Sequence, residues 1–273
     1  LYSFYGYLIR VLDDIIEKNP DIDELVCHHD YTAYAQEREK KIVHWGKKNN
    51  ITITLLHDYL LTIPGTVLTQ GKKPYSKFTP FYRSALRVID AQEKTVKSLN
   101  WNRNLKKSSS MNAINLSHEC TRSGHFFKSI QAYDLCGGRR EAKKILKEAL
   151  AHMKNYSKVR DYPSQKTSFL SAILKFGTLS VREVYREISD YPAFVRQLLW
   201  RDFFTHVAYH FPYVFKGSFY KKYDDITWSN SEVLFKKWCE GKTGFPIVDA
   251  GMRQLNKTGY MHNRVRLLAA SLL

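Results

Sequence analysis

From Gly137 to its last residue, the sequence places apolar residues at helical spacing, and this feature constrains the fold more than any other. In the stretch REAKKILKEALAHMKNY, apolar residues recur at i, i+3, i+4 and i+7, as on one face of an amphipathic helix. The same pattern predicts further helices over residues 167–175, 180–188, 192–210, 231–240 and 246–257. This part of the chain is therefore expected to be all-helical.

The first 95 residues instead alternate short apolar runs with amphipathic segments. ELVCHHDY predicts a strand, AYAQEREKKIVHWGKKN a helix, and ITITLLHDYLL a second strand. This order predicts an α/β unit with a parallel sheet. TPFYRSALRVI predicts a short helix with Thr79 as its cap and Pro80 at its first position. The polar, Ser- and Asn-rich residues 96–136 are interpreted as a linker or a surface insertion.

The charge indicates a polyanionic partner. The 273 residues include 43 Lys and Arg against 26 Asp and Glu, which gives a net charge of +17. The alternative is a lysine-rich proteome without such a partner.

Cysteine usage and hydropathy indicate the compartment. Four cysteines lie far apart without a CxxC motif, which favours a reducing intracellular compartment over secretion. His118, Cys120, His125 and Cys136 do not have a zinc-ligand spacing, so no metal is expected.

No apolar run approaches the ~20 residues that cross a membrane, and no secretory signal is present. The chain opens on Leu1 and stops within a predicted helix, so both ends are expected to be cut.

A first group of polar residues lies at a predicted helix start. Thr167, Ser168 and Ser171 are small hydroxyl residues, which can cap free backbone N–H groups. The same helix start can also bind a phosphate through its amides and its dipole. A simple N-cap and a phosphate site both remain open from this pattern alone.

A second group lies on the predicted helix FVRQLLWRDFFTHVAYHFP. Phe194, Gln197, Arg201 and Phe204 share one face, and Trp200 lies beside Gln197. An amide, an indole and a guanidinium together suit a cavity that receives a flat polar ring, because Arg and Trp can both stack. The alternative is a buried aromatic helix whose Arg head group reaches solvent.

A third group lies in WCEGKTGFPIVDAGMRQLNKTGYMHNRVR. Asp249 and Arg253 are spaced as an i,i+4 pair on one predicted helix. Gly259 is expected to end that helix in a left-handed conformation. Asn263 and Arg266 then share a face of the next helix, followed by the apolar run LLAASLL.

Three of these segments resemble a known family. EGKTGFPIVDAGMRQLNKTGYMHNRVR, QLLWRDFF and KTSFLSAILKFGTLS are similar to the flavin-binding domain of the DNA photolyase/cryptochrome family, most closely to class I cyclobutane pyrimidine dimer photolyases. LVCHHDYTAYAQEREKK and YSKFTPFYRSALR resemble the end of the family's α/β antenna domain. The resemblance implies a partial α/β antenna domain with a parallel sheet over 1–95, a linker over 96–136, and an all-α FAD-binding domain over 137–273 that is incomplete at its C-terminus.

The resemblance also implies roles for individual residues. FAD would be contacted by Tyr156, Thr167, Ser168, Phe169, Leu170, Ser171, Arg201, Asn263 and Arg266. The damaged DNA strand would be contacted by Arg160, Gln197, Trp200, Arg201, Tyr260, Met261, Asn263 and Arg264. Catalytic roles would fall to Gln197, Trp200, Asn263 and Trp228, the last as the surface end of an electron relay. Glu37 matches a position near the folate site of some relatives, and a folate or deazaflavin antenna is left open.

The activity implied by the resemblance is light-dependent DNA repair. A monomeric enzyme would flip a pyrimidine dimer out of the duplex, and light-excited reduced FAD would pass an electron to it. Dimer photolyases usually have Glu where Gln197 stands. Relatives that act on (6-4) photoproducts have Gln there, but with a His pair where this chain reads Met261, His262 and Asn263, so the cyclobutane dimer is favoured. The cytoplasm, the nucleus or a viral replication site would suit this activity.

Two alternatives remain open. The first is a cryptochrome-type blue-light photosensor, which binds FAD without repairing DNA. The second is a cofactor-free, basic DNA-binding remnant.

Overall fold

The computed structural model describes residues 6–92 and 137–273. These residues form two compact units. The first comprises the described residues up to 92 together with Leu199–Phe215, and the second comprises residues 137–198 and 216–273. The whole interval interpreted above as a linker, residues 96–136, lies outside the described residues, and so do the four His and Cys residues considered for zinc. The domain boundaries inferred from the sequence stay a prediction.

The first unit is an α/β unit with two parallel strands. Its elements are, in order, α1 (Leu8–Lys18), β1 (Glu24–His28), α2 (Ala33–Asn49), β2 (Thr52–Leu56) and α3 (Phe78–Gln92). In the sheet, Glu24 lies opposite Thr52 and His28 lies opposite Leu56. The strand–helix–strand order and the parallel sheet predicted from the sequence are therefore confirmed.

Local signals define α2 and its packing. The Thr32 hydroxyl accepts a hydrogen bond from the Ala35 N–H at the start of the helix, and Asn50 ends it in a left-handed conformation. Near its end, a Cβ on Gly46 would overlap the Ile53 side chain and lie 2.8 Å from the Ile51 carbonyl oxygen. A glycine is therefore required where the helix meets β2. Its apolar face joins a core made by Leu12, Ile42, Trp45 and Ile51.

Helix α3 begins two residues earlier than predicted, at Phe78 and not at Pro80. Its first residue is Phe78, so Thr79 is its second residue and not its cap. Pro80 is accommodated in the third position because the first four N–H groups of a helix have no intrahelical partner.

The first unit also buries a hydrogen-bonded carboxyl group. Asp202 has no exposed surface, and its Oδ2 accepts hydrogen bonds from the Thr62 N–H (2.8 Å) and the Thr62 hydroxyl (3.0 Å). The Thr62 Oγ1 also lies 3.2 Å from His206 Nε2. Burial raises the pKa of Asp202 to about 7 and lowers the pKa of His206 to about 4. This network ties the segment after Leu199 to the loop that follows β2.

The second unit consists of helices joined by turns in its described residues. In chain order they are α4 (Arg139–His152), α5 (Tyr156–Val159), α6 (Leu170–Lys175), α7 (Val181–Ile188), α8 (Pro192–His210), α9 (Glu232–Cys239), α10 (Pro246–Thr258) and α11 (Asn263–Leu272). Helix α8 begins in this unit, and its residues from Leu199 onward belong to the first. The helical character predicted from Gly137 onward is confirmed. The helix expected over 167–175 begins only at Leu170, because Phe169 has a left-handed conformation that a continuous helix cannot include.

The last two helices pack through a small apolar core. Val248 and Met252 of α10 contact Met261, Val265 and Ala269, and the Trp238 indole N–H donates to the Ala269 carbonyl at 2.8 Å. A Cβ on Gly251 would overlap the Val265 side chain, so α10 and α11 approach closely at this glycine.

None of the helices within residues 6–92 and 137–273 is both long enough and apolar enough to cross a membrane.

Candidate functional site

The connection between α10 and α11 positions the residues of the segment TGYMHNRVR. Gly259 ends α10 with φ 70°, and its N–H donates to the Leu255 carbonyl at 2.8 Å. The Tyr260 N–H then donates to the Thr258 hydroxyl at 3.2 Å. His262 caps α11, since its Nδ1 accepts the Arg264 N–H at 3.2 Å. The helix end and the helix start expected from the sequence are both confirmed.

A hydroxyl and two aromatic rings meet at this connection. The Thr167 Oγ1 lies 3.2 Å from the Tyr260 hydroxyl, and the Phe169 ring packs 4.9 Å from the Tyr260 ring. Phe169 has φ 51° and ψ 17°, an uncommon conformation for a bulky residue. Such a conformation costs of order 1–3 kcal/mol and persists where neighbouring contacts hold it, often at binding sites. The Tyr260 contact brings two segments that are distant in the sequence to one place.

Two arginines share one carboxylate beside this contact. Arg264 donates from Nε and Nη2 to the Asp161 Oδ1, both at 2.6 Å. The Arg160 Nε lies 3.8 Å from the same oxygen, beyond hydrogen-bonding distance, although it is buried. Asp161 and Arg264 are about half exposed. The cluster therefore presents two positive charges against one negative charge at the surface.

Four further residues predicted to contact the flavin lie in the second unit and differ in exposure. Ser171, Asn263 and Arg266 are exposed, and Arg266 uses one nitrogen to donate to the Met261 carbonyl at 3.1 Å. Tyr156 is half-buried, its ring meets the Phe194 ring edge to face with 5.0 Å between the ring centroids, and burial raises the pKa of its phenol.

The remaining residues of the predicted phosphate segment differ in exposure. The Ser168 hydroxyl lies 3.5 Å from the Leu170 N–H and caps the short helix α6. Leu170 is 1% exposed, so only its backbone could contact a ligand. The side chain of Leu170 is therefore a core residue and not a contact surface.

Asp249 has a different partner from the one predicted. Its carboxylate accepts hydrogen bonds from the Thr243 N–H (2.7 Å), the Thr243 hydroxyl (2.6 Å) and the Gly244 N–H (3.0 Å). The hydrogen bond from the Thr243 hydroxyl is the main reason why the pKa of Asp249 is lowered, and Arg253 contributes least. The sequence spacing predicted Arg253 as the partner of Asp249. In the structure, the loop before α10 instead supplies three hydrogen-bond donors to the carboxylate. Asp249 therefore fixes the turn that begins the helix.

Three other predicted site residues have no side-chain contact with this cluster among those that the structure shows within residues 6–92 and 137–273. Met261 is 3% exposed and packs in the core of the second unit, so its side chain does not face a surface cavity. Trp228 is 63% exposed in the segment before α9. The Gln197 amide donates to the Ala193 carbonyl one turn earlier in α8, at 3.4 Å.

Trp200 and Arg201 have partners within the first unit. The Trp200 indole stacks on the Phe78 ring with a centroid distance of 3.6 Å and an angle of 7°. Arg201 donates to the Tyr59 carbonyl at 2.6 Å, and its guanidinium lies 3.7 Å from the centroid of the Tyr59 ring. The pattern on the sequence indicated stacking by both residues, and the structure provides protein rings as the stacking partners.

Two site residues were missed in the sequence. Asp161 directly follows Arg160 in RDYP, and an acid next to an expected phosphate-binding arginine was the signal that could have identified it. His262 was treated as part of a motif, but it is 5% exposed and caps α11. Burial lowers the pKa of His262, which favours the neutral ring that accepts the Arg264 N–H.

Known proteins match both parts of the chain. Residues 1–99 match the family model for DNA photolyase, and residues 194–273 match the model for the FAD binding domain of DNA photolyase. The deoxyribodipyrimidine photo-lyase of Alkalihalophilus pseudofirmus is 30% identical over 281 residues, which cover 100% of this chain and 58% of that protein.

Solved structures of photolyases share the fold. A class III photolyase from Agrobacterium tumefaciens has a TM-score of 0.78 at 28% identity, over 98% of this chain and 57% of that one. An archaeal photolyase from Sulfolobus tokodaii, solved with two FAD molecules, has a TM-score of 0.76 at 34% identity, over 98% of this chain and 56% of that one. The chain thus spans less than two thirds of the length of each of these relatives. With sequence and fold matched along almost all of its length, the chain belongs to the DNA photolyase/cryptochrome family.

Proposed function

We propose that this chain provides the DNA-binding and much of the FAD-binding surface of a monomeric, light-dependent repair enzyme for cyclobutane pyrimidine dimers in an intracellular, reducing compartment. The observation that supports it best is the cluster of Arg160, Asp161 and Arg264. Two guanidinium groups that share one carboxylate suit the phosphates that flank a flipped dimer, because arginine binds phosphate through paired N–H donors.

The donors of the second unit fit FAD. Ser171 and Asn263 offer exposed polar side chains of the kinds that bind a pyrophosphate or a flavin carbonyl. Thr167, Ser168 and Arg266 would complete the set of donors. When bound, reduced FAD would supply the electron that opens the cyclobutane ring after light absorption.

The residues of the chain would bind and orient the lesion. We assign Tyr260 and Arg264 to the lesion strand and Asn263 and Arg266 to the flavin. Gln197 would hydrogen-bond a flipped pyrimidine through its amide, which can donate and accept but cannot supply an acidic proton. Trp200 would stack a flipped base in place of one of the two rings, Phe78 and Phe204, that stack on its indole.

A binding experiment in the dark tests this proposal. The affinity of the FAD-loaded chain is measured for an oligonucleotide with one thymine dimer and for the same oligonucleotide without it. We expect tighter binding of the dimer, because a damaged and poorly paired base costs less to flip out. Equal affinities would contradict a repair enzyme and would favour a photosensor or a DNA-binding remnant.

The Asp161→Asn variant is expected to bind undamaged duplex DNA about 1.5- to 5-fold more tightly than the wild type. The carboxylate competes with a DNA phosphate for Arg264 and Arg160, and exposed ion pairs of this kind contribute about 0.2–1 kcal/mol. The logarithmic salt dependence of binding should become steeper by roughly one unit, because one more phosphate is neutralised. Fluorescence anisotropy over a range of salt concentrations measures both quantities.

The matched control is Asp190→Asn, which removes the same charge from an exposed position of the second unit. We expect this variant to change DNA affinity less than Asp161→Asn and to leave the salt dependence as in the wild type. If both variants bind equally well, Asp161 acts only through net charge, and its assignment to the phosphate site is wrong.

A further inference from the structure

We propose that a basic groove between α1 and α2, on the first unit, binds the phosphate backbone of a nucleic acid as a second contact surface. The groove has a volume of about 420 Å³ and is lined by Ile9, Asp13, Lys40, Lys41, His44, Trp45, Lys48 and Asn49. Three of its eight side chains are lysines, and only one is acidic.

Two lysines and a histidine form a line along α2. Lys40, His44 and Lys48 follow each other at intervals of four residues and therefore share one side of the helix. The line extends over about 12 Å of helix axis. Lys40 and Lys48 are exposed and have no ion-pair partner among the residues that the structure describes.

Two carboxylates near the groove, those of Asp13 and Glu37, already contact other side chains. The Asp13 carboxylate accepts the Trp45 indole N–H at 2.7 Å, which directs it toward the wall of the groove. Glu37 lies 3.9 Å from Lys41, but both side chains are more than 60% exposed, so this pair is weak in water. A phosphate can therefore compete for Lys41 as well as for the two unpaired lysines.

The form of the groove favours an extended anion. Lys40 and Lys48 lie two helical turns apart on one side of α2, and lysine binds phosphate as a point charge at the end of a flexible chain. A nucleic-acid strand presents one charge per 3.4 Å along its axis, so several phosphates lie within the span of the line. The net charge of +17 would draw such a polyanion to the chain. We therefore assign the groove to a phosphodiester backbone and not to a compact nucleotide.

The test is the salt dependence of binding to a short undamaged DNA duplex, measured in the dark without FAD. One variant replaces the three lysines of the groove: Lys40→Gln, Lys41→Gln and Lys48→Gln. Loss of three phosphate contacts should make the logarithmic salt dependence shallower by roughly 2.7 units and weaken binding most at low salt.

The control variant removes the same charge from exposed positions of the second unit: Lys143→Gln, Lys147→Gln and Lys236→Gln. We expect it to change the salt dependence by less than one unit. Equal slopes for the two triple variants would overturn the proposal, because only net charge would then matter. Competition by adenosine monophosphate at the same phosphate concentration as the duplex would overturn the assignment to an extended backbone.

Lysine acetylation of the wild-type chain gives a second readout that needs no variant. Bound duplex should protect Lys40, Lys41 and Lys48 and leave Lys143 and Lys147 reactive, and unprotected groove lysines would overturn the proposal. Because neither measurement uses light, FAD or a lesion, a failure here leaves the proposed repair function standing. Conversely, a failure of dimer recognition leaves this groove intact.

Discussion

Replacing Asp202 with alanine is expected to lower the free energy of unfolding of the first unit by about 3 kcal/mol. The substitution leaves the buried N–H and hydroxyl of Thr62 without their acceptor, and each unsatisfied buried group costs about 1–3 kcal/mol. Because typical domains are stable by only about 5–15 kcal/mol, the loss is a large fraction of the total. Urea unfolding followed by circular dichroism measures it.

Two further variants identify the cause. Asp202→Asn keeps an acceptor oxygen for the Thr62 N–H, so we expect it to cost less than Asp202→Ala. Asp190→Ala removes an exposed carboxylate and should change stability by less than about 0.5 kcal/mol. If Asp202→Ala is as stable as Asp190→Ala, the buried network does not stabilise the unit.

The same network predicts the direction of a pH effect. Because the folded-state pKa of Asp202 is raised to about 7, its contribution to stability is complete below its unfolded value near 4 and is lost as the pH rises through 7. The pKa of His206 is lowered to about 4, so its contribution is present above about 6.5 and is lost as the pH falls. The two effects oppose each other between about pH 4 and 6.5. Wild-type stability should therefore fall from about pH 6.5 to 8, and this fall should be absent in Asp202→Asn.

Gly251→Ala is expected to destabilise the second unit by about 1–3 kcal/mol, the usual cost of overpacking a core. A Cβ at this position would overlap the Val265 side chain, which is 5% exposed and β-branched and therefore cannot turn away easily. Alanine favours a helix over glycine by about 1 kcal/mol, so a net loss means that the steric cost is larger. The free energy of unfolding in urea reports the sum.

A compensating substitution distinguishes overlap from a general effect on the helix. In the double variant Gly251→Ala/Val265→Ala, the valine methyl groups that would overlap the new Cβ are absent. The double variant should therefore lose less stability than the sum of the losses in the two single variants. Additive losses would show that α10 and α11 do not meet at this point. The contact matters for function because the connection with Tyr260 and His262 lies between these two helices.

Local sequence signals predicted most of the helices and both strands. The helix α8 was predicted with its observed ends, because Pro192 begins it and the apolar spacing continues without a break. The start of α6 was not predicted, because a left-handed Phe169 contradicts the usual preference of that residue and depends on the contact with Tyr260. Similarly, Thr79 was wrong as the cap of α3, because the helix begins at Phe78, two residues before the predicted first residue Pro80.

The candidate site was only partly predictable. Thr167 and Tyr260 were each selected from the sequence, but their contact across 93 positions is a product of the fold. Met261 was expected at a cavity and is instead in the core, because its neighbours on α10 form an apolar surface that the local motif does not reveal. The position of Asp161 next to Arg160 could have been noticed in the sequence, but its ion pair with Arg264 could not, because the two residues lie 103 positions apart.

The central proposal is that the chain belongs to a DNA repair enzyme that uses light. The most direct test measures thymine dimers in an oligonucleotide after blue light and after darkness. It uses the chain loaded with reduced FAD and completed with the part of a family member that it does not cover. We predict that the dimers disappear in the light and persist in darkness. An unchanged dimer content in the light, in a sample that retains FAD and binds the oligonucleotide, would contradict the proposal.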